Sequence, residues 1–564
     1  VYFSEDVSPG PSFQYNKNPH GLIYAIKRLD RETGEIQTLV QTPGGAVRPQ
    51  PSPDGKSLAF VKRVRDKSVL HVMDLDSGVV RPVWDGLSRD QQEGWAIFGP
   101  YANFAWTPDA KSVVVWAQGR LWRVDMASGE ASNIPFSAQV EQAVAQPLRF
   151  EQPLEGDSFQ PRMIRDVATS PDGRTLVFHA VGKLWKKTLP DGRPERLTGD
   201  ETHFEYQPSF SPDGRRLLYT SWSDADMGAV HEIDLASGQR RTLTAEKGFY
   251  YGPQYSRDGR MIVWSRRGGG GLTGSLWSRE TGVFVLPAAG GEPRRISRNG
   301  RDPQFSADGS RVFYLTGGGT SKKLMSVGLH GEEPREVFNL KYVTDIKLSP
   351  DGRWVAFTEL FNAYVAPMPA TGGVIELSRD TKAIPVSQLS ADTGSYLHWS
   401  ADSQRLHWMV GREYFTRELK DAFAFLPGAP ATLPKAESLK GIDVGLSVPT
   451  DRPSDVFAFT GARIVTMRDA ERSQEVIEDG VLVVRGHSIA AVGRRGEVAI
   501  PDGATVIDAA GKTIIPGIVD AHAHAAHFGQ GVVPQQNWAY YANLAYGITT
   551  MHDPSATTEF VFSQ

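Results

Sequence analysis

The chain has 564 residues, a formal net charge of −4 at pH 7 and no cysteine. Its length predicts several domains, and its nearly balanced charge argues against a nucleic-acid partner bound by bulk electrostatics. The lack of cysteine excludes disulfides, thiolate metal sites and a cysteine nucleophile, and no apolar run of the sequence reaches the roughly 18 residues of a membrane span.

A tetrad of the Ser-Pro-Asp-Gly type recurs along the chain, and each copy lies between two short apolar or aromatic segments. In such a turn Pro presets φ, Asp hydrogen-bonds its local backbone and Gly accepts a positive φ, which predicts a hairpin. A further strand follows each hairpin, so the repeats predict four-stranded blades around an axis, a β-propeller. The copies begin at Ser52, Thr107, Ser170, Ser211, Ser256, Ser306, Ser349 and Ser400.

The spacing of the tetrads favours two propellers, whose blades resemble the TolB and tricorn type. From Ser170 onward the tetrads lie 41, 45, 50, 43 and 51 residues apart, close to one blade each, whereas the two earlier gaps are 55 and 63. The tetrad-free stretch 135–166 therefore separates partial blades over 1–132 from a six-bladed ring over 146–425. The segment LRFEQPL is a candidate for the outer strand that closes the last blade. The alternative is a single ring of about eight blades.

The composition changes after the last blade. Residues 426–455 are rich in Pro, Gly and small polar residues, which predicts a linker. Short alternating strands, such as GVLVVRGHSIAAVG, follow over 456–515. The first residues, VYFSED, have the pattern of a strand interior, and we expect the chain to be cut at both ends.

Two histidines one residue apart follow the apolar run 513–519. If that run leads into a strand, side chains two apart share a face, so Asp520, His522 and His524 project the same way. Imidazole nitrogens on a rigid strand suit zinc and similar divalent ions, and an open coordination position can lower the pKa of bound water to roughly 7. Taken alone, a His-x-His pair is more often a chance pair of surface residues than a metal site.

The C-terminal fifth of the chain contains FTGARIVTM, IEDGVLVVRGHSIAAVG, GATVIDAAGKTIIPGIVDAHAH and YGITTMHD in that order. It resembles the start of a metal-dependent amidohydrolase of the imidazolonepropionase-like or prolidase-like branch. The resemblance implies a small β-sandwich over 456–515 and the first strands of a (β/α)₈ barrel over 516–564. It also implies that His522 and His524 bind the metal. The other ligands and the catalytic Asp are expected beyond Gln564.

The residues after His524 predict a helix and a second barrel strand. The apolar spacing of NWAYYANLAYG predicts a helix that ends near Gly547, and GITTMHD predicts the strand. Chemistry in such barrels lies at the carboxyl ends of strands. We therefore expect His527 in a substrate loop. His552 and Asp553, with Asp520, are expected to support the metal ligands.

The sequence thus predicts a mainly β chain with one or two propellers, a small sandwich and an incomplete barrel. As the resemblance implies, it is part of a hydrolase that cleaves C–N bonds other than ordinary protein peptide bonds, in a cyclic amide or small peptide-like substrate, through water activated by a divalent metal such as zinc. The propellers would control substrate access or bind a protein partner. The competing hypothesis is a protein- or peptide-binding propeller scaffold with an inactive barrel. TolB-like blades favour an extracytoplasmic location.

Overall fold

The computed structural model describes residues 1–9, 18, 20–91, 101–143, 156–268, 280–370, 372–468, 475–524, 532–556 and 561–562. The chain divides into two compact units, Val1–Glu151 and Gln152–Gln564. Both consist mainly of antiparallel β-sheets, which confirms the predicted mainly β class. Among the described helices, none is both long and apolar enough to cross a membrane.

The first unit contains three successive sheets. They are formed by β1 (Tyr2–Asp6), β2 (Tyr24–Leu29) and β3 (Ile36–Gln41); by β4 (Ala46–Pro51), β5 (Ser57–Val64), β6 (Lys67–Asp74) and β7 (Val80–Trp84); and by β8 (Ala105–Trp106), β9 (Ser112–Ala117), β10 (Arg120–Asp125) and β11 (Ala131–Ile134). Apolar side chains fill both junctions, with Phe60 in the first and Leu70 and Val113 in the second. Neighbouring sheets therefore share their cores, as propeller blades do.

The second unit begins with β12 (Ser158–Phe159) and continues with six sheets, here called ring sheets 1 to 6. Ring sheets 1 to 3 are β13 (Arg165–Thr169), β14 (Thr175–Ala180), β15 (Lys183–Thr188) and β16 (Glu195–Arg196); β17 (Phe204–Phe210), β18 (Arg216–Ser223), β19 (Met227–Asp234) and β20 (Arg240–Thr242); and β21 (Phe249–Tyr255), β22 (Met261–Arg267), β23 (Gly282–Pro287) and β24 (Arg294–Ser297).

Ring sheets 4 to 6 follow the same antiparallel order, and ring sheet 4 gains a fifth, parallel strand. Their strands are β25 (Arg301–Phe305), β26 (Arg311–Gly318), β27 (Ser321–Gly328) and β28 (Arg335–Leu340), with the added β32 (Ile375–Glu376); β29 (Val343–Leu348), β30 (Trp354–Glu359), β31 (Asn362–Pro367) and β33 (Ser387–Gln388); and β34 (Ser395–Trp399), β35 (Arg405–Val410), β36 (Glu413–Glu418) and β37 (Ile442–Asp443).

The six ring sheets form a closed ring, the arrangement of a β-propeller. Each sheet shares a buried apolar cluster with the next, and ring sheet 6 packs against ring sheet 1 through Met409, Tyr414 and Phe178. The other five junctions are filled by Val177 and Leu217; Leu218 and Trp264; Val263 and Val312; Phe338 and Phe357; and Ala356 and Trp408. The predicted limits of the ring stay a prediction, since its start near residue 146 lies outside the described residues.

The tetrads form the hairpins that the sequence predicts. At Ser211 the hydroxyl donates to Asp213 Oδ1 (2.6 Å) and accepts the backbone N–H of Arg216 (2.9 Å). The hydroxyl of Ser211 thereby lowers the pKa of Asp213. Gly214 takes a φ of 70°, as this turn requires. The same Ser or Thr hydroxyl donates to the tetrad Asp in every copy.

The segment 426–455, predicted as a linker, is partly built into the propeller. Its residues Ile442–Asp443 form β37, the outer strand of ring sheet 6, and Val448–Pro449 (β38) pairs with β12. Lys187 Nζ also donates to the backbone oxygens of Asp443 and Val444, both at 3.0 Å. The edge of β36 leaves backbone groups that need partners, and this segment supplies them. The alternative candidate for the outer strand, LRFEQPL, lies outside the described residues.

A separate sheet follows the propeller. Its order is β41 (Ser488–Arg494), β40 (Val476–Arg485) and β39 (Val456–Val465), and the other edge of β39 pairs in parallel with β42 (Thr505–Asp508) and β43 (Thr513–Ile514). Ala462 and Ile464 lie in its buried core. The described residues form one sheet here, so the predicted sandwich stays a prediction.

The last part of the chain forms a β-α-β unit. The strands β44 (Ile518–Asp520) and β45 (Ile548–Met551) pair in parallel, and the helix α1 (Trp538–Ala545) connects them. The Asn537 side chain caps α1 by accepting the Ala539 N–H at 3.0 Å, and Gly547 follows the helix with a φ of 81°. This confirms the predicted helix and strand. The complete (β/α)₈ barrel stays a prediction, because the described residues after the separate sheet form two parallel strands and no closed barrel.

Candidate functional site

His522 and His524 lie at the carboxyl end of β44. The strand ends at Asp520, where it pairs with Met551 of β45, so His522 and His524 follow it by two and four residues and the predicted strand alternation does not extend to them. Both histidines are exposed, while Ala523 between them is buried. The Ala523 N–H donates to the backbone oxygen of His552 (2.8 Å), which ties this stretch to the end of β45. The two imidazole centroids are 5.2 Å apart with a T-shaped orientation.

The predicted supporting residues act mainly on the backbone of this strand end. Asp520 Oδ1 accepts the N–H of His522 at 3.1 Å. The N–H of His552 donates to the backbone oxygen of Asp520 at 2.8 Å, so His552 holds β44 through its main chain. Asp553 accepts the N–H of Ser555 at 2.9 Å. His527 lies outside the described residues.

The two imidazoles fit part of a zinc site. Two imidazoles on one tetrahedral zinc ion, with Zn–N bonds of about 2.0–2.1 Å, place their centroids roughly 5 Å apart, close to the observed separation. No group of three or more His, Asp or Glu side chains suited to a metal occurs among the described residues. His522 and His524 therefore provide two donors, and a complete site needs ligands from outside the described part of the chain.

The segment 532–536, here called the docking segment, lies between the histidines and α1 and contacts the propeller. The Val532 side chain is 1% exposed and packs among Tyr206, Trp222, Phe249 and Tyr251 of ring sheets 2 and 3. This contact joins two parts of the chain more than 280 residues apart in sequence.

Polar groups of ring sheet 2 hold the same segment. The Tyr206 hydroxyl donates to the backbone oxygen of Val533 (3.0 Å) and accepts the N–H of Val533 (3.2 Å). Asp224, in the turn between β18 and β19, accepts the N–H of Gln535 on Oδ1 (3.0 Å) and the N–H of Gln536 on Oδ2 (2.8 Å). Burial raises the pKa of Tyr206, which keeps its hydroxyl protonated as a donor.

Charged side chains on the first strands of ring sheets 4 and 5, with Arg267 from the second strand of ring sheet 3, form a second candidate region. Lys347 Nζ lies 3.2 Å from Asp345 Oδ1, and Arg267 Nη2 lies 3.4 Å from Asp302 Oδ1. Burial raises the pKa of Asp345. Burial opposes the charge of Lys347, but the carboxylates of Asp345 and Asp302 outweigh it and raise the pKa of Lys347. In each of these ion pairs the two opposite charges offset each other.

Similarity to known proteins is partial. No protein-family model matches the chain. The chain is 25% identical over 177 residues to the uncharacterized peptidase YuxL of Bacillus subtilis (strain 168), covering 31% of this chain and 21% of that protein. It is 32% identical over 92 residues to the Tol-Pal system protein TolB of Francisella tularensis subsp. holarctica (strain OSU18), covering 16% and 19%. The chain thus spans about a fifth of the length of the curated relatives it matches.

Among solved structures, the tricorn protease is similar over 77% of this chain and 47% of that chain, with 11% sequence identity and a TM-score of 0.36. The sequence match to TolB supports the TolB-type resemblance of the propeller repeats. The propeller itself is established by the six ring sheets and their shared cores.

Sequence reasoning missed Asp224, Tyr206 and the docking segment. Asp224 lies in the turn between β18 and β19, and Asp is a common turn residue, so its type carries no separate signal. The one local signal is Pro534, which shortly precedes the start of a helix. A contact over such a sequence distance follows from the three-dimensional arrangement and not from a local pattern.

Proposed function

We propose that residues 456–564 form the N-terminal part of a metal-dependent amidohydrolase that cleaves C–N bonds other than ordinary protein peptide bonds. The substrate class is a cyclic amide or a small peptide-like molecule. The observation that carries the proposal is the pair of exposed imidazoles, 5.2 Å apart, at the carboxyl end of a parallel strand in a β-α-β unit. Parallel barrels place their chemistry at this end of the strands.

In this proposal His522 and His524 hold a divalent metal, for which their nitrogen donors favour zinc. The metal would activate water and polarise the carbonyl of the scissile bond. Asp520 fixes the backbone of His522, and the main chain of His552 fixes the strand end, so both limit the movement of the imidazoles. Exposure of both rings leaves room for substrate and for further ligands.

Zinc titration by calorimetry tests the assignment without an activity assay. We expect the 564-residue chain to bind zinc weakly, and His522→Ala or His524→Ala to abolish that binding. His487→Ala, at an exposed histidine in the turn between β40 and β41, is the matched control and should bind as the parent does. Equal zinc binding by the parent and both site variants would show that these histidines are not ligands.

The second candidate function is a binding scaffold in which the propeller engages a protein or peptide and the barrel is inactive. The closed ring, with charged side chains such as Asp302, Asp345 and Lys347 on the first strands of its sheets, favours it. A chain extended by the later barrel strands should hydrolyse small amides if the first proposal holds, and should bind partners without turnover if the second does. An extracytoplasmic location is part of both proposals and can be tested by cell fractionation.

A further inference from the structure

Side chains of the propeller bind the main chain of the docking segment. Tyr206 contacts both backbone groups of Val533, and Asp224 accepts two further backbone N–H groups, those of Gln535 and Gln536. The intervening Pro534 has no N–H and is buried. Each backbone N–H from 533 to 536 thus meets an acceptor, and the residue without a donor is the proline. Contacts to the main chain of a peptide supply affinity in several modes of peptide recognition.

Side chains add specificity to this contact. The Val532 side chain fills an apolar pocket between Tyr206 and Trp222. The Gln535 amide donates from Nε2 to the backbone oxygen of Thr202 (2.6 Å) and accepts the N–H of Asp224 on Oε1 (3.1 Å). The apolar side chain at 532 therefore meets aromatic rings, and the primary amide at 535 meets a backbone acceptor and a backbone donor.

The ring itself also holds the Asp224 carboxylate that contacts the segment. Trp222 Nε1 donates to Asp224 Oδ1 at 2.8 Å, and Trp222 stacks on Phe249 with centroids 4.7 Å apart. Trp222 thus contributes both to the apolar pocket and to the orientation of the acceptor. A preorganised acceptor loses less freedom on binding, which favours recognition of the segment.

We propose that Tyr206, Trp222 and Asp224 form a peptide-recognition site on the propeller. Its ligand is a peptide with an apolar β-branched residue, any residue, proline and glutamine in succession, and residues 532–536 of this chain, which bend at Gln535 and Gln536, occupy it. The site does not depend on the proposed hydrolase activity. It also fixes the start of α1, because Gln536 directly precedes the cap Asn537, and α1 leads through β45 to the strand end that carries the histidines.

Hydrogen exchange of the complete chain tests the occupied state. Asp224→Ala should increase the exchange rate of the Gln535 and Gln536 amides by roughly tenfold or more, because each loses a charged acceptor. Asp226→Ala, in the same turn but bonded to Lys247 (3.0 Å), should leave these two amides unchanged. Unchanged exchange in Asp224→Ala would overturn the proposal.

Binding in trans tests recognition directly. The substitution Val532→Asp should release the docking segment and free the site, and a fluorescent peptide with the sequence of residues 531–537 should then bind, as measured by anisotropy. Adding Asp224→Ala or Tyr206→Phe to Val532→Asp should weaken this binding at least about tenfold, with circular dichroism confirming that the sheets are intact. Equal peptide binding by Val532→Asp and by the double variants would refute the site. Failure of the peptide to bind the intact Val532→Asp chain would refute it as well.

Discussion

The closed ring and the C-terminal β-α-β unit differ in how they bury apolar surface. In the ring, each sheet shares a core with both neighbours, and Phe357 and Trp408 are almost fully buried. In the β-α-β unit, Val519 on β44 is 61% exposed and Tyr546 after α1 is 82% exposed. The ring therefore provides its own stability. The C-terminal unit has apolar faces that its described residues leave uncovered.

The largest expected effect on stability comes from removing a buried aromatic side chain between two ring sheets. Phe357→Ala removes a fully buried ring between ring sheets 4 and 5 that stacks on Tyr364 with centroids 5.5 Å apart. We expect the free energy of unfolding to fall by about 3–5 kcal/mol, from lost apolar burial and the remaining cavity. Phe361→Ala is the control, because Phe361 is 76% exposed and should change stability by less than about 0.5 kcal/mol. Equal effects in denaturant titrations would contradict a self-contained ring core.

A smaller effect is expected from pH, through His231 of ring sheet 2. Ser221 and Thr242 hydroxyls lie 2.8 and 3.1 Å from its two ring nitrogens. Burial lowers the pKa of His231 to about 4, with Arg240 adding to the effect. Because the ordinary histidine pKa is about 6.5, the unfolded chain binds the proton more readily between these values. The contribution of His231 to the free energy of unfolding should therefore be fully present above about pH 6.5. It should fall by on the order of 2–3 kcal/mol as the pH decreases to about 4.

Denaturant titrations at several pH values check this prediction. His231→Gln should reduce the slope of stability against pH between about 6.5 and 4. The tetrad carboxylates act at lower pH, since a hydroxyl hydrogen bond lowers the pKa of groups such as Asp213, and their contribution is lost only as the pH falls below about 4. An unchanged slope in His231→Gln would show that this histidine is not neutral in the folded ring.

The same contrast explains what the sequence could predict. The tetrad hairpins and the helix before Gly547 follow from local turn and capping chemistry, and both are confirmed. The outer strand β37 could not be predicted, because two residues have no periodicity and pair only where β36 offers an edge. Asp224 meets its partners about 310 residues away, which no local pattern records. The predicted metal-binding role of the histidine pair stays a prediction, and its position two and four residues beyond the end of β44 could not be read from the sequence pattern.

A tetrad hydroxyl should contribute less to the free energy of unfolding than a buried residue at a junction between ring sheets. Ser211→Ala removes the buried hydroxyl that joins Asp213 to the backbone of Arg216, and leaves that backbone N–H without this acceptor. We expect a loss of about 1–2 kcal/mol in thermal or denaturant unfolding. Arg215→Ala, at an exposed side chain of the same turn, should change little. A loss in Ser211→Ala no larger than in Arg215→Ala would mean that the turn is held by its backbone alone.

Making the exposed apolar side chains of β44 polar should have the smallest effect on stability. The same change should have the largest effect on self-association. Ile518→Thr with Val519→Thr keeps the β-branched shape that suits a strand and makes two half-exposed side chains of β44 polar. Unfolding should change by no more than about 0.5 kcal/mol, because little buried surface is lost. Self-association should decrease, since an exposed apolar face on a two-stranded sheet attracts other chains. Sedimentation velocity measures this, with Phe361→Ser on the ring as the matched control. If that control reduces association equally, the apolar faces of the C-terminal unit are not its cause.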